Sequence, residues 1–329
     1  MKRLVLAGVM STLCLAFGEV INGAGASFPY PLYSRWAHAY YKETGIRINY
    51  QSIGSGGGVR QIRNRTVDFG ASDAPLKPSE AKKYNLAQFP TVIGGVVLSY
   101  NLPVKDLKLS TSAVCGIFLG KIKRWNHPEI KKANPDKDLP DTRITVIRRS
   151  DGSGTTWIFT NYLSKACPEW KEKVGYGKAV NWPTGIGAKG NEGVANYIRR
   201  VKGAIGYVEF AYAIENDLKV ASVENREGNF VKPSVETFKA AASGAKWDPS
   251  KDFYEILTWQ PGKNAYPIAG ATFILLAKDY PKERNRKVIR FFDWAFRKGD
   301  KMALDLHYVP LPEEVKEKIR AYWRANGWY

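Results

Sequence analysis

Apolar positions recur along the chain with two alternating periods. Leu32, Trp36, Ala39 and Tyr40 fall at helical spacing within 31–44, and Gly45 stops the run. Ile46, Ile48 and Tyr50 then alternate with polar residues, which predicts a strand. A glycine-rich loop, 52–58, leads into a helical pattern over 59–66, and a short strand over 67–71 ends in Ser72-Asp73-Ala74-Pro75. The apolar run 92–100 predicts a buried strand, and 105–125 and 128–134 are mixed and read as helical. A strand over 143–149 meets a helix over 156–166, with Ile158, Tyr162 and Ala166 on one face.

Later elements follow the same alternation. Strands are expected over 203–210 and 273–277, and an amphipathic helix over 287–297 stops at Gly299. Pro312 opens a last helix carrying Val315, Ile319, Tyr322 and Trp323 on one face. Gly185-Ile186-Gly187-Ala188-Lys189-Gly190 has the spacing of a dinucleotide loop, but Trp182-Pro183 stands where a strand should precede it. It reads instead as a turn capping a helix over 192–200. Strands and helices in alternation predict an α/β class with mostly parallel sheets, and 329 residues suit two domains.

The N-terminus changes the picture of where the chain works. Lys2 and Arg3 precede an apolar stretch, 4–17, and Ala16-Phe17-Gly18 offers small residues around a cleavage point. Residues 1–18 therefore read as an export signal. Leu13 precedes Cys14 where a lipoprotein signal requires a small residue, so lipidation is not expected. No later run reaches the ~18 apolar residues of a membrane-spanning helix. Cys115 and Cys167 remain after cleavage; in an oxidising compartment they could pair, but spacing alone does not place their Cα atoms. His38, His127 and His307 are isolated, and neither a metal constellation nor a nucleophile–base arrangement stands out. No cofactor is expected.

The net charge of +19 favours anionic partners. Its basic residues are scattered rather than run together, which argues against nucleic acid.

Three glycine- and hydroxyl-rich turns precede helices: Gly23-Ala24-Gly25-Ala26-Ser27-Phe28-Pro29, Ser55-Gly56-Gly57-Gly58, and Arg149-Ser150-Asp151-Gly152-Ser153-Gly154-Thr155. Each offers free backbone N–H groups and the positive end of a helix. Singly, each is ordinary capping, and Ser27 is placed to cap the first helix. Three together, with Arg149, point to an oxyanion site. Asp73 should repel an anion unless the ligand keeps a proton for it to accept. Phosphate keeps one at neutral pH and sulfate does not, so Asp73 reads as a filter for phosphate; otherwise it is an Asx-turn residue.

These turns, with Val67-Asp68-Phe69-Gly70-Ala71-Ser72-Asp73-Ala74-Pro75, Phe89-Pro90-Thr91-Val92-Ile93-Gly94-Gly95 and Gly203-Ala204-Ile205-Gly206-Tyr207-Val208-Glu209, resemble the phosphate-binding protein family of bacterial phosphate-specific ABC transporters. The resemblance runs in order through the mature chain. It implies a two-lobed periplasmic binding protein fold of type II, with two crossover strands forming a hinge and the ligand in the interlobe cleft. Lobe I would comprise 19–100 and 268–329, lobe II 101–267, with bending near 99–103 and 266–271. Position by position, it implies phosphate ligands at Ser27, Phe28 (backbone), Ser55, Asp73, Arg149, Ser153, Gly154 (backbone) and Thr155. Asp151 would pair with the arginine. Ser27 stands where a threonine is common; both carry the hydroxyl. The implied protein is a periplasmic monomer that performs no chemistry, binds inorganic phosphate and serves permease subunits at the membrane. A phosphatase-like enzyme on the same fold is the alternative.

Overall fold

The computed structural model describes residues 18–329. The export-signal reading of the first 17 residues, and with it Cys14, lies outside the described residues. Seven elements come first: β1 (Val20–Gly25), α1 (Tyr30–Thr44), β2 (Arg47–Ser52), α2 (Ser55–Arg63), β3 (Phe69–Ser72), α3 (Pro78–Tyr84) and β4 (Leu86–Tyr100). A second group follows: β5 (Lys108–Leu109), α4 (Thr111–Phe118), α5 (Pro128–Lys131), β6 (Thr145–Arg149), α6 (Gly154–Ala166), α7 (Pro168–Lys173), β7 (Ile186–Ala188), α8 (Gly190–Arg200), β8 (Ala204–Glu209), α9 (Phe210–Glu215), β9 (Lys219–Val220), β10 (Ser222–Glu224), β11 (Phe230–Val231) and α10 (Val235–Ala242). The chain then returns through β12 (Ala269–Ala277), α11 (Lys282–Lys298), α12 (Asp300–Asp305), β13 (Val309–Pro310) and α13 (Glu313–Ala325).

The strands run β2-β1-β3-β12-β4-β8-β6-β7, with β9 and β13 also on β4. One strand, β4, makes this curled sheet serve two lobes. From Leu86 to Gly95, β4 pairs with β12; from Val96 to Tyr100 it pairs with β8. Apolar helical stripes close each lobe, as when Leu32, Tyr33, Trp36 and Tyr40 of α1 turn inward and left-handed Gly45 ends the helix.

The sheet is mixed, not mostly parallel. β1 is parallel to β2 and β3, and β6 to β7 and β8, but β12 and β4 are antiparallel to their neighbours. Every residue of β4 and β12 is buried. A strand covered on both faces shows no alternation, so its sequence carries no sign of direction.

Three other expectations shift. α2 begins at Ser55 and takes in the glycines read as loop, because the missing side chain of Gly58 lets the helix lie against β1 and β3. A Cβ there would stand 2.5 Å from Gly25 Cα and 2.7 Å from the Ala71 carbonyl. Within 105–125 only α4 is helical, after the short strand β5. The 185–190 turn contains a strand, β7, at the sheet edge beside β6. Cys115 of α4 and Cys167 after α6 form a disulfide, with Cα atoms 6.1 Å apart. No helix among the described residues is long and apolar enough to cross a membrane.

Candidate functional site

The loop from β1 to α1 is pinned at Ala26, just before Ser27. Ala26 N–H donates to the Ala71 carbonyl (3.0 Å), and the Tyr50 hydroxyl donates to the Ala26 carbonyl (2.5 Å). Ser27 does not cap α1 through its side chain, as the sequence suggested. Pro29 is the N-cap residue, and only the Ser27 carbonyl serves the first turn, accepting from Tyr30 N–H (3.1 Å). Its hydroxyl is used across the cleft, accepting from the backbone N–H (3.1 Å) and side-chain amide (2.8 Å) of Asn191 in the other lobe.

Ser55 is the first residue of α2, not its cap, and its hydroxyl accepts from the backbone N–H of Asp73 at the end of β3 (3.1 Å). The Asp73 carboxylate bonds none of its local backbone, so it is not an Asx-turn residue; the Ser72 hydroxyl accepts from Ala74 N–H instead.

From the second lobe, β6 delivers Arg149 and α6 delivers the rest. Arg149 is only 3% exposed. Its Nε and Nη2 grip both oxygens of Asp151 at 2.7 and 2.6 Å, leaving Nη1 buried with no protein partner. Ser153 caps α6, accepting from Thr156 N–H (2.9 Å). Gly154 brings the lobes together: a Cβ on it would lie 2.3 Å from Ser55 Oγ and 2.5 Å from Asp73 Oδ2. Nearby, Gly56 N–H donates to the Gly152 carbonyl (3.0 Å), a backbone bond across the cleft. Ser27, Phe28, Ser55, Asp73, Arg149, Ser153, Gly154 and Thr155 are thus all buried, and both lobes contribute to one enclosure.

The polarity of the enclosure follows from who donates to whom. The hydroxyls of Ser27, Ser55, Ser153 and Thr155 each accept from an N–H group. Ser27, Ser153 and Thr155 donate to no protein acceptor among the described residues, so each keeps its hydrogen for something else, whereas the Ser55 hydroxyl lies beside the Asp73 carboxylate and can turn its hydrogen to it. Among the described residues, the backbone N–H groups of Phe28, Ser55, Gly154 and Thr155 also have no protein acceptor. Asp73 Oδ1 is the exception, a buried acceptor without a partner. Burial pushes the Asp73 carboxyl up to about 7; the Thr272 hydroxyl beside it, the Arg149 charge and Ser55 pull the other way without cancelling this. The Thr272 hydroxyl completes no hydrogen bond of ordinary geometry. Burial also works against the charge of Arg149, but the bonds and charge of Asp151 outweigh it and hold the guanidinium above its ordinary value. Arg149 likewise holds Asp151 below the usual carboxylate range despite its burial. The set can bind a compact oxyanion through many donors, provided that the anion offers one hydrogen to Asp73.

Four neighbours were not found by sequence reasoning. Asn191 follows the turn read as a simple cap, and its place at a helix start after Gly190 was a usable signal. The Tyr212 hydroxyl donates to the Ser27 carbonyl (2.5 Å), and the Tyr308 hydroxyl to the Phe28 carbonyl (2.6 Å). Glu209 accepts from Ala211 N–H and lies 3.0 Å from the Tyr308 hydroxyl, and burial raises its carboxyl well above the ordinary value. These three lie in apolar-patterned segments with no local sign of a polar task.

A surface cleft of about 960 Å³ lies elsewhere, between α6, α7 and the 256–260 loop. It is an open groove that includes none of the enclosure residues. Among the described residues, no group of three or more His, Cys, Asp or Glu side chains could hold a metal ion.

A family model described as a PBP superfamily domain matches residues 17–298. The chain is 53% identical to the phosphate-binding protein PstS of Pasteurella multocida, over 99% of this chain and 96% of that one. It is also 53% identical to that of Haemophilus influenzae over 96% of each, and 41% identical to that of Methanocaldococcus jannaschii, over 90% of this chain and 83% of that one. Among solved structures, the phosphate-bound high affinity periplasmic phosphate-binding protein PfluDING superimposes with a TM-score of 0.74 at 24% identity, over 92% of this chain and 93% of that one. At that identity the likeness speaks for the fold.

Proposed function

The chain belongs to the PstS phosphate-binding protein family, and on that premise we propose that it captures inorganic phosphate in the periplasm and delivers it to an ABC-transporter permease. The proposal includes the lobe division at 19–100 with 268–329 against 101–267, export through residues 1–18, and a monomeric carrier. Phosphate is held by the hydroxyls of Ser27, Ser55, Ser153 and Thr155, the backbone N–H groups of Phe28 and Gly154, and Arg149. Asp151 holds the guanidinium in place and tempers its charge.

The observation that carries this reading is the single acceptor among donors. Asp73 Oδ1 is buried without a partner inside the enclosure, and the Asp73 and Arg149 charges feel each other there. A monohydrogen or dihydrogen phosphate satisfies both groups at once, donating to Asp73 and accepting from the rest. Sulfate has no hydrogen to donate and is repelled by the ionised carboxylate, a selection that strengthens as pH rises above the Asp73 value of about 7. The hydroxyls of Ser27, Ser55, Ser153 and Thr155 each accept from an N–H group and so turn hydrogens toward the anion, an arrangement that supports binding.

Calorimetric titration of ligand-stripped protein tests this. One-to-one phosphate binding with little or no sulfate heat is expected, together with no turnover of a chromogenic phosphate ester. Asp73→Asn should keep phosphate binding measurable while narrowing the gap to sulfate. An unchanged gap would overturn the filter, and absent phosphate binding would overturn the reading as a whole.

A further inference from the structure

We infer that Asn191 is a positioning residue that fixes the hydroxyls of Ser27 and Thr155 as hydrogen donors toward the anion, and does so across the cleft. The inference rests on the phosphate reading above. Asn191 is fully buried in the first turn of α8. Its Oδ1 accepts from the backbone N–H of Glu209 at 2.8 Å. That bond decides which way the amide faces, because a backbone N–H requires oxygen, not NH₂. The Nδ2 group must then face the site, and its two hydrogens go to Ser27 Oγ at 2.8 Å and Thr155 Oγ1 at 3.0 Å.

The backbone N–H of Asn191 adds a second bond to Ser27 Oγ at 3.1 Å. Both lone pairs of that hydroxyl are thereby filled, and its hydrogen has one direction left. Thr155 accepts one such bond, which fills one of its lone pairs and biases its hydroxyl toward donation. A free serine hydroxyl can turn either its hydrogen or a lone pair to a neighbour; here the choice is made for Ser27 as the lobes close over the anion. Ser27 comes from the first lobe, and Asn191 and Thr155 from the second. The orientation is therefore complete only when the lobes meet, so one amide links closure to donor polarity.

The unsubstituted protein is titrated first with inorganic phosphate; failure to bind would overturn the phosphate reading, and this inference with it. Given binding, Asn191→Ala should weaken affinity by about ten- to a hundredfold, the scale of one or two oriented hydrogen bonds. The same substitution in a Ser27→Ala/Thr155→Val background should cost less than about threefold, because the hydroxyls it orients are gone. Equal losses in both backgrounds would mean that Asn191 serves only packing, and no loss in either would remove its role; both overturn the inference. The near-isosteric Asn191→Asp guards against a folding failure of the alanine variant. It preserves volume but accepts where Asn191 donates, so it should lose more affinity than Asn191→Ala. Retention of affinity closer to the unsubstituted protein would also overturn the inference.

Discussion

Asp73 and Arg149 were both visible in the sequence as chemistry, but their states were not. A carboxylate in a Ser-Asp-Ala-Pro turn and an arginine in a glycine loop look solvated on paper. Folding buries both, and the consequences differ: Arg149 keeps its charge through Asp151, whereas Asp73 has no cation in contact and its carboxyl rises to about 7. An unfolded aspartate titrates near 4. Between those values the unfolded chain releases a proton that the folded chain retains, so the Asp73 contribution is full at low pH and is lost as pH rises through 7. Stripped of ligand, the protein should therefore lose stability between pH 5 and 8 by more than Asp73→Asn does, by on the order of 2–4 kcal/mol. Urea unfolding at the two pH values checks this; parallel curves for the two proteins would show that Asp73 ionises freely. The side chains of Ser27 and Ser55 were found for the wrong local reason. Capping predicts a hydroxyl turned to its own helix, and both are instead engaged by residues far along the chain.

At the scale of elements, three helix starts were readable because serine, glycine and threonine gather there. α2 and β7 were misjudged because local glycine content outweighs packing when only the sequence is in view. Gly154 shows what such positions do in the folded chain. It opens α6 with its Cα against Ser55 and Asp73 of the other lobe, where a methyl group cannot be placed. Gly154→Ala should leave each lobe folded, with unfolding stability changed by no more than about 1 kcal/mol. Phosphate affinity should fall at least ~100-fold, as an overpacked contact of about 3 kcal/mol predicts. Calorimetry beside a melting curve separates the two effects; an unaltered affinity would mean that the lobes do not close at this point.

For the whole molecule, alternation gave the α/β class but not the way in which one sheet is shared by two lobes. That arrangement lies in β4, which changes partner between Gly95 and Val96, just after the Gly94-Gly95 pair and with no polar residue to mark the change. The disulfide is likewise a long-range fact, closing 52 residues within the second lobe. In the chain-entropy picture such a loop contributes about 4 kcal/mol. Reduction should lower the melting temperature while leaving phosphate affinity within about twofold, because neither cysteine belongs to the enclosure. A large affinity loss on reduction would tie the second lobe's internal rigidity to binding.

The burial of every enclosure residue also has a kinetic meaning. An anion held on all sides cannot be displaced by a second one arriving while the first is still in place. Release is a single event timed by the parting of the lobes, and a chasing anion can occupy the protein only afterwards. The departure rate of labelled phosphate should then be independent of the concentration of unlabelled chaser. The membrane partner, for its part, has no exposed ligand to pull on; it governs delivery by acting on the lobes, so the protein meters phosphate by how long it stays shut.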